Sequence, residues 1–530
     1  MKTKRRSMKI KKLGLLLTAL ILAITALSGC GNNENSSKEN EQNQKGTAES
    51  SVDIEVWGTN IGYKPIEQGS KLYEFYKEKL GVGVIHPYIE WGGGTNYLNQ
   101  LNMKIAANEM PDLFIPQQGI EDSLAKNGAI ADLTELLPKY APNVMSAISE
   151  DIWNVVKAND PTGQGKIYYI PSIVEYGRYG GMIRQDWLDK LGLKMPTTQD
   201  EYVEVLKAFR DKDPNGNGKQ DEIPTGGREQ VRWMDHLFAM YGVAMFEGYP
   251  EWDIYNGELT YSAVTPNMKA ALAFIAELYK EGLIDKESLL NTKDKWEGKI
   301  HSDKVGNYFH WVEHGSLVFE NLYKNAGIKA QYSVLPLPKV EGYEGFYTMK
   351  KIANAQWVVK NNKDEAKLMA TLKLLNNMYD KSKFKDLYLG VEGMHYTMKD
   401  GKAVKLPDDK ANQENLLLNT YSSVGTLDMT VDLYNSTASE DNKWAMDQVT
   451  RNIQEAQKYA KSIAGDGMPA SIYDGFPDIN NRTLYAEYAS KIIIGTYSID
   501  KFDEFVEKWN QSGGEEVTKR AREWQAKVKQ

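Results

Sequence analysis

From residue 52 onward, short segments with apolar residues at every second position alternate with longer ones whose apolar residues recur every three to four positions. Ile54 and Val56 alternate and lead into Trp57, which predicts a strand. Residues 67–80 put Leu72, Phe75, Tyr76 and Leu80 on one helical face. A strand is expected near 82–89, a helix over 95–108, and a short buried strand at Asp112-Leu113-Phe114-Ile115, after Pro111. Strands alternating with helices predict βαβ units on a mostly parallel sheet covered on both faces. The alternation continues to the end, with the last third mainly helical and no fixed repeat or low-complexity linker after residue 51. This organisation suits a two-lobed α/β chain that crosses between its lobes more than once. Ligands of open α/β sheets bind at the carboxyl ends of strands, so a cleft between lobes is the expected site.

The segment before residue 52 is of another kind. Lys2, Lys4, Arg5, Arg6, Lys9, Lys11 and Lys12 carry positive charge with no acid among them, and the apolar run 13–27 follows. Ser28, Gly29 and Cys30 close it, as in a secretory signal peptide over 1–29. The run is shorter than the roughly 20 apolar residues that a membrane-spanning helix needs. Leu27-Ser28-Gly29-Cys30 resembles a bacterial lipobox, which makes Cys30 the expected lipidated N-terminus. Residues 31–51 are polar and aperiodic, a tether between lipid and folded domain. Cys30 is the single cysteine, so the fold has no intrachain disulfide and must hold by its core.

The chain carries 64 basic and 72 acidic residues; removing seven basic residues with the leader leaves 57 against 72, or −15. That balance argues against nucleic acid as a partner. Tyrosine (31) and tryptophan (12) are plentiful enough to serve ligand stacking as well as core packing.

Two local patterns could hold metal. Residues 211–222 read Asp-Lys-Asp-Pro-Asn-Gly-Asn-Gly-Lys-Gln-Asp-Glu, rich in the oxygen ligands and turn glycines that calcium sites use. A register starting at Asp211 reproduces a twelve-residue EF-hand loop ending in Glu222. One starting at Asp213 instead puts Gly218 at the turn. His310-Trp311-Val312-Glu313-His314 spells an inverted zincin pattern, in which two histidines on one helical face hold zinc and Glu313 acts as base. The sequence shows no third ligand for it, and a secreted zinc hydrolase is the alternative reading. No G-x-S-x-G run is present, and the single cysteine lies in the leader, so the expectation is a chain without catalytic activity.

Longer stretches resemble a known family. Ala106-Ala107-Asn108-Glu109-Met110-Pro111-Asp112-Leu113-Phe114, Gly128-Ala129-Ile130-Ala131-Asp132-Leu133 and Gly165-Lys166-Ile167-Tyr168-Tyr169-Ile170-Pro171 come in order. Residues 183–193, Pro196-Thr197-Thr198 and Glu201-Tyr202 give the densest match, and Ile493-Ile494-Gly495 with Trp509 and Gly513-Gly514 ends it. Together they resemble the extracellular solute-binding proteins of carbohydrate ABC importers, in particular Gram-positive lipoproteins similar to alginate-binding proteins.

The resemblance implies a type-II periplasmic-binding-protein-like α/β fold with discontinuous lobes and a hinge of several strands. It implies an N-terminal lobe over 52–170 plus 335–395 and a C-terminal lobe over 171–334 plus 396–530, with crossings at 165–171, at 334–338 and near Tyr396. It favours the second calcium register, with a structural calcium on Asp213, Asn215, Asn217, the Lys219 carbonyl, Asp221 and Glu222. The implied sugar contacts are Trp57, Asn60, Glu175, Tyr176, Tyr179, Arg184, Trp311, Glu313 and Trp357. The implied partners are a carbohydrate and membrane permease subunits, served by a monomer held at the outer face of the cell membrane by lipid alone. A surface carbohydrate adhesin would use the same cleft.

Overall fold

The computed structural model describes residues 52–58, 65–89, 95–117, 119–174, 176–406, 426–438, 440 and 442–529. The first sheet runs in the order Gly83–Ile85, Asp53–Trp57, Leu113–Phe114, Ile352–Val359, Ile170–Ile173. Ile54 and Val56 point into the core while Asp53 and Glu55 stay half-buried, which is the alternation read from the sequence. The helix Lys71–Leu80 is capped by the Ser70 hydroxyl and ends where Gly81 turns left-handed at φ 70°. Its Leu72, Tyr76 and Leu80 pack against Ile54, Val56, Val84 and Trp357 in one core.

The second sheet runs Tyr332–Val334, Tyr179–Arg184, Val305–Trp311, Ile223–Thr225. The helix Gln199–Asp211 covers it, started by a capping box in which Thr198 and Glu201 satisfy each other's backbone N–H groups. Phe209 meets Trp187 edge to face at 5.3 Å, and both are fully enclosed.

The fold class is α/β as expected, but the sheets are mixed rather than mostly parallel. Ile352–Val359 runs antiparallel to both its neighbours, and Tyr179–Arg184 runs antiparallel to both of its own. The cause is the connectivity: these strands enter directly from the other sheet instead of through a helix that would return the chain to the same direction.

Among the described residues, two segments link the sheets and a third, 460–467, lies against them. Residues 174–178 join Ile170–Ile173 to Tyr179–Arg184. Tyr347–Met349 leads through Lys350 and Lys351 into Ile352–Val359, and it pairs in parallel with Ala460–Ser462. The three lie side by side. The Val174 N–H donates to the Lys351 carbonyl at 2.8 Å, and Asp466 accepts the backbone N–H groups of Lys351 and Ile352. A Cβ added at Gly177 would come within 2.1 Å of the Ala460 Cβ, so only glycine allows this approach.

This moves one expected crossing. Residues 335–343 stay with the second body: Leu335 is enclosed in the core of Trp187 and Phe209, and the Lys339 N–H donates to Thr197. The chain crosses near 350, not 335. Tyr396–Lys399 pairs with Lys402–Lys405 as a hairpin. Leu387 packs in the first core and Val431 and Ala445 pack with the second sheet, so the crossing expected near Tyr396 falls within the stretch where the chain changes body. The final helix, Glu515–Val528, spans both cores: Val517 and Ala521 pack in the second, Trp524 in the first.

Candidate ligand-binding cleft

The strand directions bring two sheet ends to the crossings, and a cavity of about 780 Å³ opens there. Gln117, Ser172 and Gln356 line it from the first body, Trp252 and Arg482 from the second, and Gly465 and Gly467 from the segment beside the crossings. A second cavity of about 270 Å³ is lined by Tyr176, Arg178, Tyr179, Phe246 and Glu247. Lys350 and Ile352 line both, so the two are parts of one cleft.

An aromatic wall stands on the second sheet. Tyr179 and Trp311 are paired in register, and their rings meet edge to face at 6.5 Å. Phe246 lies 4.9 Å from Tyr179, and the Tyr179 hydroxyl donates to Glu247 at 2.7 Å. Behind them Trp233 stacks on His310 at 4.6 Å. The backbone here is strained: Gln230, Val231, Trp233 and Glu247 all have φ between 52° and 66°. Left-handed φ at a β-branched residue such as Val231 is costly, and such strain collects where a surface is shaped for binding.

Several charges in the cleft are paired. Glu313, 7 % exposed, takes an ion pair from Arg178 at 3.3 Å and a hydrogen bond from the Tyr176 hydroxyl at 3.0 Å. Lys350 pairs with Glu251 at 3.3 Å. Burial pushes the Asp466 carboxyl up to about 6, against the pull of nearby Lys350. Burial likewise pushes Asp235, which accepts the Gly248 N–H behind the aromatic wall, up to about 7.

Of the residues expected at the site, Tyr176 and Tyr179 line the smaller cavity, and Trp311 and Glu313 brace them from behind. Three others are placed elsewhere. Arg184 is at the far end of the strand from Tyr179, 2 % exposed, ion-paired with Asp186 and Asp303 and lying over Trp187. Its donors are used inside the protein. Trp357 is fully enclosed in the first core, because its strand is interior to the sheet with neighbours on both edges. Trp57 is 4 % exposed, packs edge to face on Tyr97 and lines neither cavity, although it does end the first strand. Asn60, Glu175 and Cys30 lie outside the described residues.

The zincin pattern loses its geometric premise. His310 is on a strand and residues 312–314 form a single 3₁₀ turn, so the two histidines do not share a helical face. Among the described residues, no group of three or more His, Cys, Asp or Glu could hold a metal.

The loop after Asp211 is oxygen-rich and tightly turned. Asp213 accepts the N–H groups of Gly216, Asn217 and Gly218, Asn215 accepts that of Asn217, and Asn217 accepts that of Lys219. Gly216 and Gly218 both take φ 75°. Lys304 pairs with Asp221 at 2.8 Å. Both carboxylate oxygens of Glu222 are buried without a hydrogen-bond partner, and its pKa is raised by burial, then by Asp213. The loop's three carboxylates do not converge, so any cation here would rely on amide and backbone oxygens too. Two unpartnered acceptors beside such a loop fit a calcium ion.

A sequence profile of the bacterial extracellular solute-binding proteins matches residues 71–397. The chain belongs to that family. It is 29% identical to the lipoprotein LipO of Bacillus subtilis, over 81% of this chain and 84% of that one. It is also 29% identical to the fructooligosaccharide ABC transporter substrate-binding protein FusA of Streptococcus pneumoniae, over 62% of each chain. An extracellular solute-binding protein of Bifidobacterium longum subsp. infantis superposes with a TM-score of 0.68 at 20% identity, covering 91% of this chain and 100% of the other. The alginate-binding protein AlgQ2, in a structure described as without calcium ion, gives 0.62 at 21%, covering 89% and 98%. A structure of FusA described as an EF-hand mutant gives 0.61 at 21%, covering 90% and 99%. These are solute-binding proteins, and this chain shares their fold.

Folding assembled residues that no spacing in the sequence announces. Phe246, Glu247, Glu251, Lys350, Gln356 and Arg482 come from three separate stretches of chain. Only Lys350 had a local signal, as a charged residue just before an apolar strand.

Proposed function

We propose that the cleft captures an oligosaccharide outside the cell and hands it to the permease subunits of an ABC importer, without catalysing a reaction. The observation that carries this is the wall of Tyr179 and Phe246 beside the hydrogen-bonding side chains of Gln117, Gln356 and Glu247. A sugar ring offers an apolar C–H face for an aromatic ring and hydroxyls around its edge for amides and carboxylates. The volumes of the two cavities match the few hundred to about 1,000 Å³ usual for small-molecule sites. The name of FusA supports the reading. Tyr176 and Tyr179 are the proposed contacts from the aromatic wall, with Trp311 and Glu313 supporting them. The adjacent segments that link the bodies allow them to close on a ligand as a hinge.

Calcium is proposed on the 213–222 loop as a structural ion, held by oxygens of Asp213, Asn215, Asn217, Lys219, Asp221 and Glu222. Bound there, it would satisfy the Glu222 carboxylate. Cys30 is proposed as the lipidated residue that keeps the protein at the membrane. No helix among the described residues is long and apolar enough to cross one.

Thermal-shift screening against a panel of oligosaccharides tests the reading, because a ligand that binds only the native state raises the melting temperature. One or a few related sugars should raise it in a concentration-dependent way. A flat response across the panel contradicts carbohydrate capture.

A further inference from the structure

The carbohydrate reading leaves the charge of the sugar open, since proteins of this fold include one named for the anionic alginate and one for neutral fructooligosaccharides. The cleft's own charges decide it. Among the described residues, four carboxylates line the two cavities, Glu121, Asp122, Glu247 and Glu251, against three cations, Arg178, Lys350 and Arg482. Each cation has an acid at hand. Arg178 is ion-paired with Glu313, and Lys350 with Glu251. Arg482 packs its guanidinium over Tyr249 at 4.6 Å, and its anionic neighbour is again Glu251. Lys350 is also the cationic neighbour of buried Asp466.

Glu251 is therefore ion-paired with Lys350 and lines the same cavity as Arg482. An arriving carboxylate would have to displace it from Lys350, displace Glu313 from Arg178, or approach Arg482 past Glu251, in a site where water screens charge poorly. The opposite wall is mainly acidic: Glu121 has a buried carboxylate oxygen without a hydrogen-bond partner, and Asp122 has Lys126 but also Asp474 and Asp160 as charged neighbours. Hydroxyl groups meet no such obstacle, because they donate to ionised carboxylates in strong, charge-assisted hydrogen bonds.

We propose that Glu251 sets the charge preference of the cleft, which takes a neutral oligosaccharide and rejects a uronate one. The proposal rests on the carbohydrate reading of the cleft.

The test is calorimetric titration of the full-length chain in detergent with two sets of tetrasaccharides. One set is neutral (gluco-, manno-, galacto-, xylo- and fructo-configured) and the other consists of glucuronate, mannuronate and galacturonate oligomers. The best neutral sugar should bind at least tenfold more tightly than the best uronate. Glu251→Gln, with folding checked by melting, should shift that ratio toward uronate at least tenfold. Lys350→Gln, which removes a cation instead, should leave the ratio at or above the wild-type value. A uronate that binds wild type as tightly as any neutral sugar overturns the proposal and leaves carbohydrate capture standing. An unchanged ratio in Glu251→Gln overturns the role of Glu251. Binding of neither set takes both the proposal and the carbohydrate reading down together.

Discussion

Tyr179 and Trp311 occupy paired positions on antiparallel strands, and the edge of one ring meets the face of the other at 6.5 Å. Phe246 on the other side and the hydrogen bond to Glu247 hold the Tyr179 ring before any ligand arrives. A ring ordered in advance loses little rotamer freedom on binding, so more of its contact energy appears as affinity. Tyr179→Ala is expected to weaken oligosaccharide binding by about 2 kcal/mol, roughly thirtyfold. Trp311→Ala removes only the support and should cost less. Titration of both variants decides the order, and a larger loss for Trp311→Ala would put that ring on the sugar itself.

Asp235 predicts a pH dependence of stability. Burial raises its folded pKa to about 7 from the ordinary 3.8, with Glu247 adding to the rise. A raised carboxylate pKa means that the folded state holds the proton more tightly than the unfolded state. The stability from this group is therefore complete below about pH 4 and is lost as pH rises through 7. Asp235→Asn mimics the protonated form and lacks that loss. The melting temperature of the variant minus that of wild type should increase from pH 5 to pH 8, and parallel curves would contradict the assignment.

The calcium proposal predicts that wild type melts higher in calcium than in chelator, by mass action on the native state. Glu222→Gln and Asp213→Ala should each reduce that difference. Because the loop and Tyr179 lie at opposite ends of the strand Tyr179–Arg184, sugar affinity measured well below melting should not depend on calcium.

The lipid proposal predicts where the protein is found. Cys30→Ala should release it from membranes into the medium, detected by blotting washed membranes and supernatant. Retention of the variant through a detergent-free wash would contradict the anchor.

Local order was legible in the sequence where neighbours along the chain decide it. Ile54 and Val56 gave a strand, and Leu72, Tyr76 and Leu80 gave a helix face. The site was only half legible. Tyr176 and Tyr179 could be found because they follow a crossing, where strands end and cavities form. Arg184 looked equivalent but lies at the other end of the same strand, and period-two patterning does not say which end faces the cleft. Trp357 was expected at the sugar because it follows a crossing, but it is fully enclosed in the first core. Glu251 and Lys350 pair across 99 positions of sequence, a juxtaposition made by the fold alone.

The central claim is that the ligand of this chain is an oligosaccharide held in the cleft at the crossings. A crystal structure with the strongest-binding member of a sugar panel tests it most directly. The account predicts one sugar chain in the joined cavities, with a pyranose or furanose ring against Tyr179 or Phe246 and hydroxyls on Gln117, Gln356 or Glu251. Sugar bound on an outer face, with the cleft holding only solvent, would contradict it.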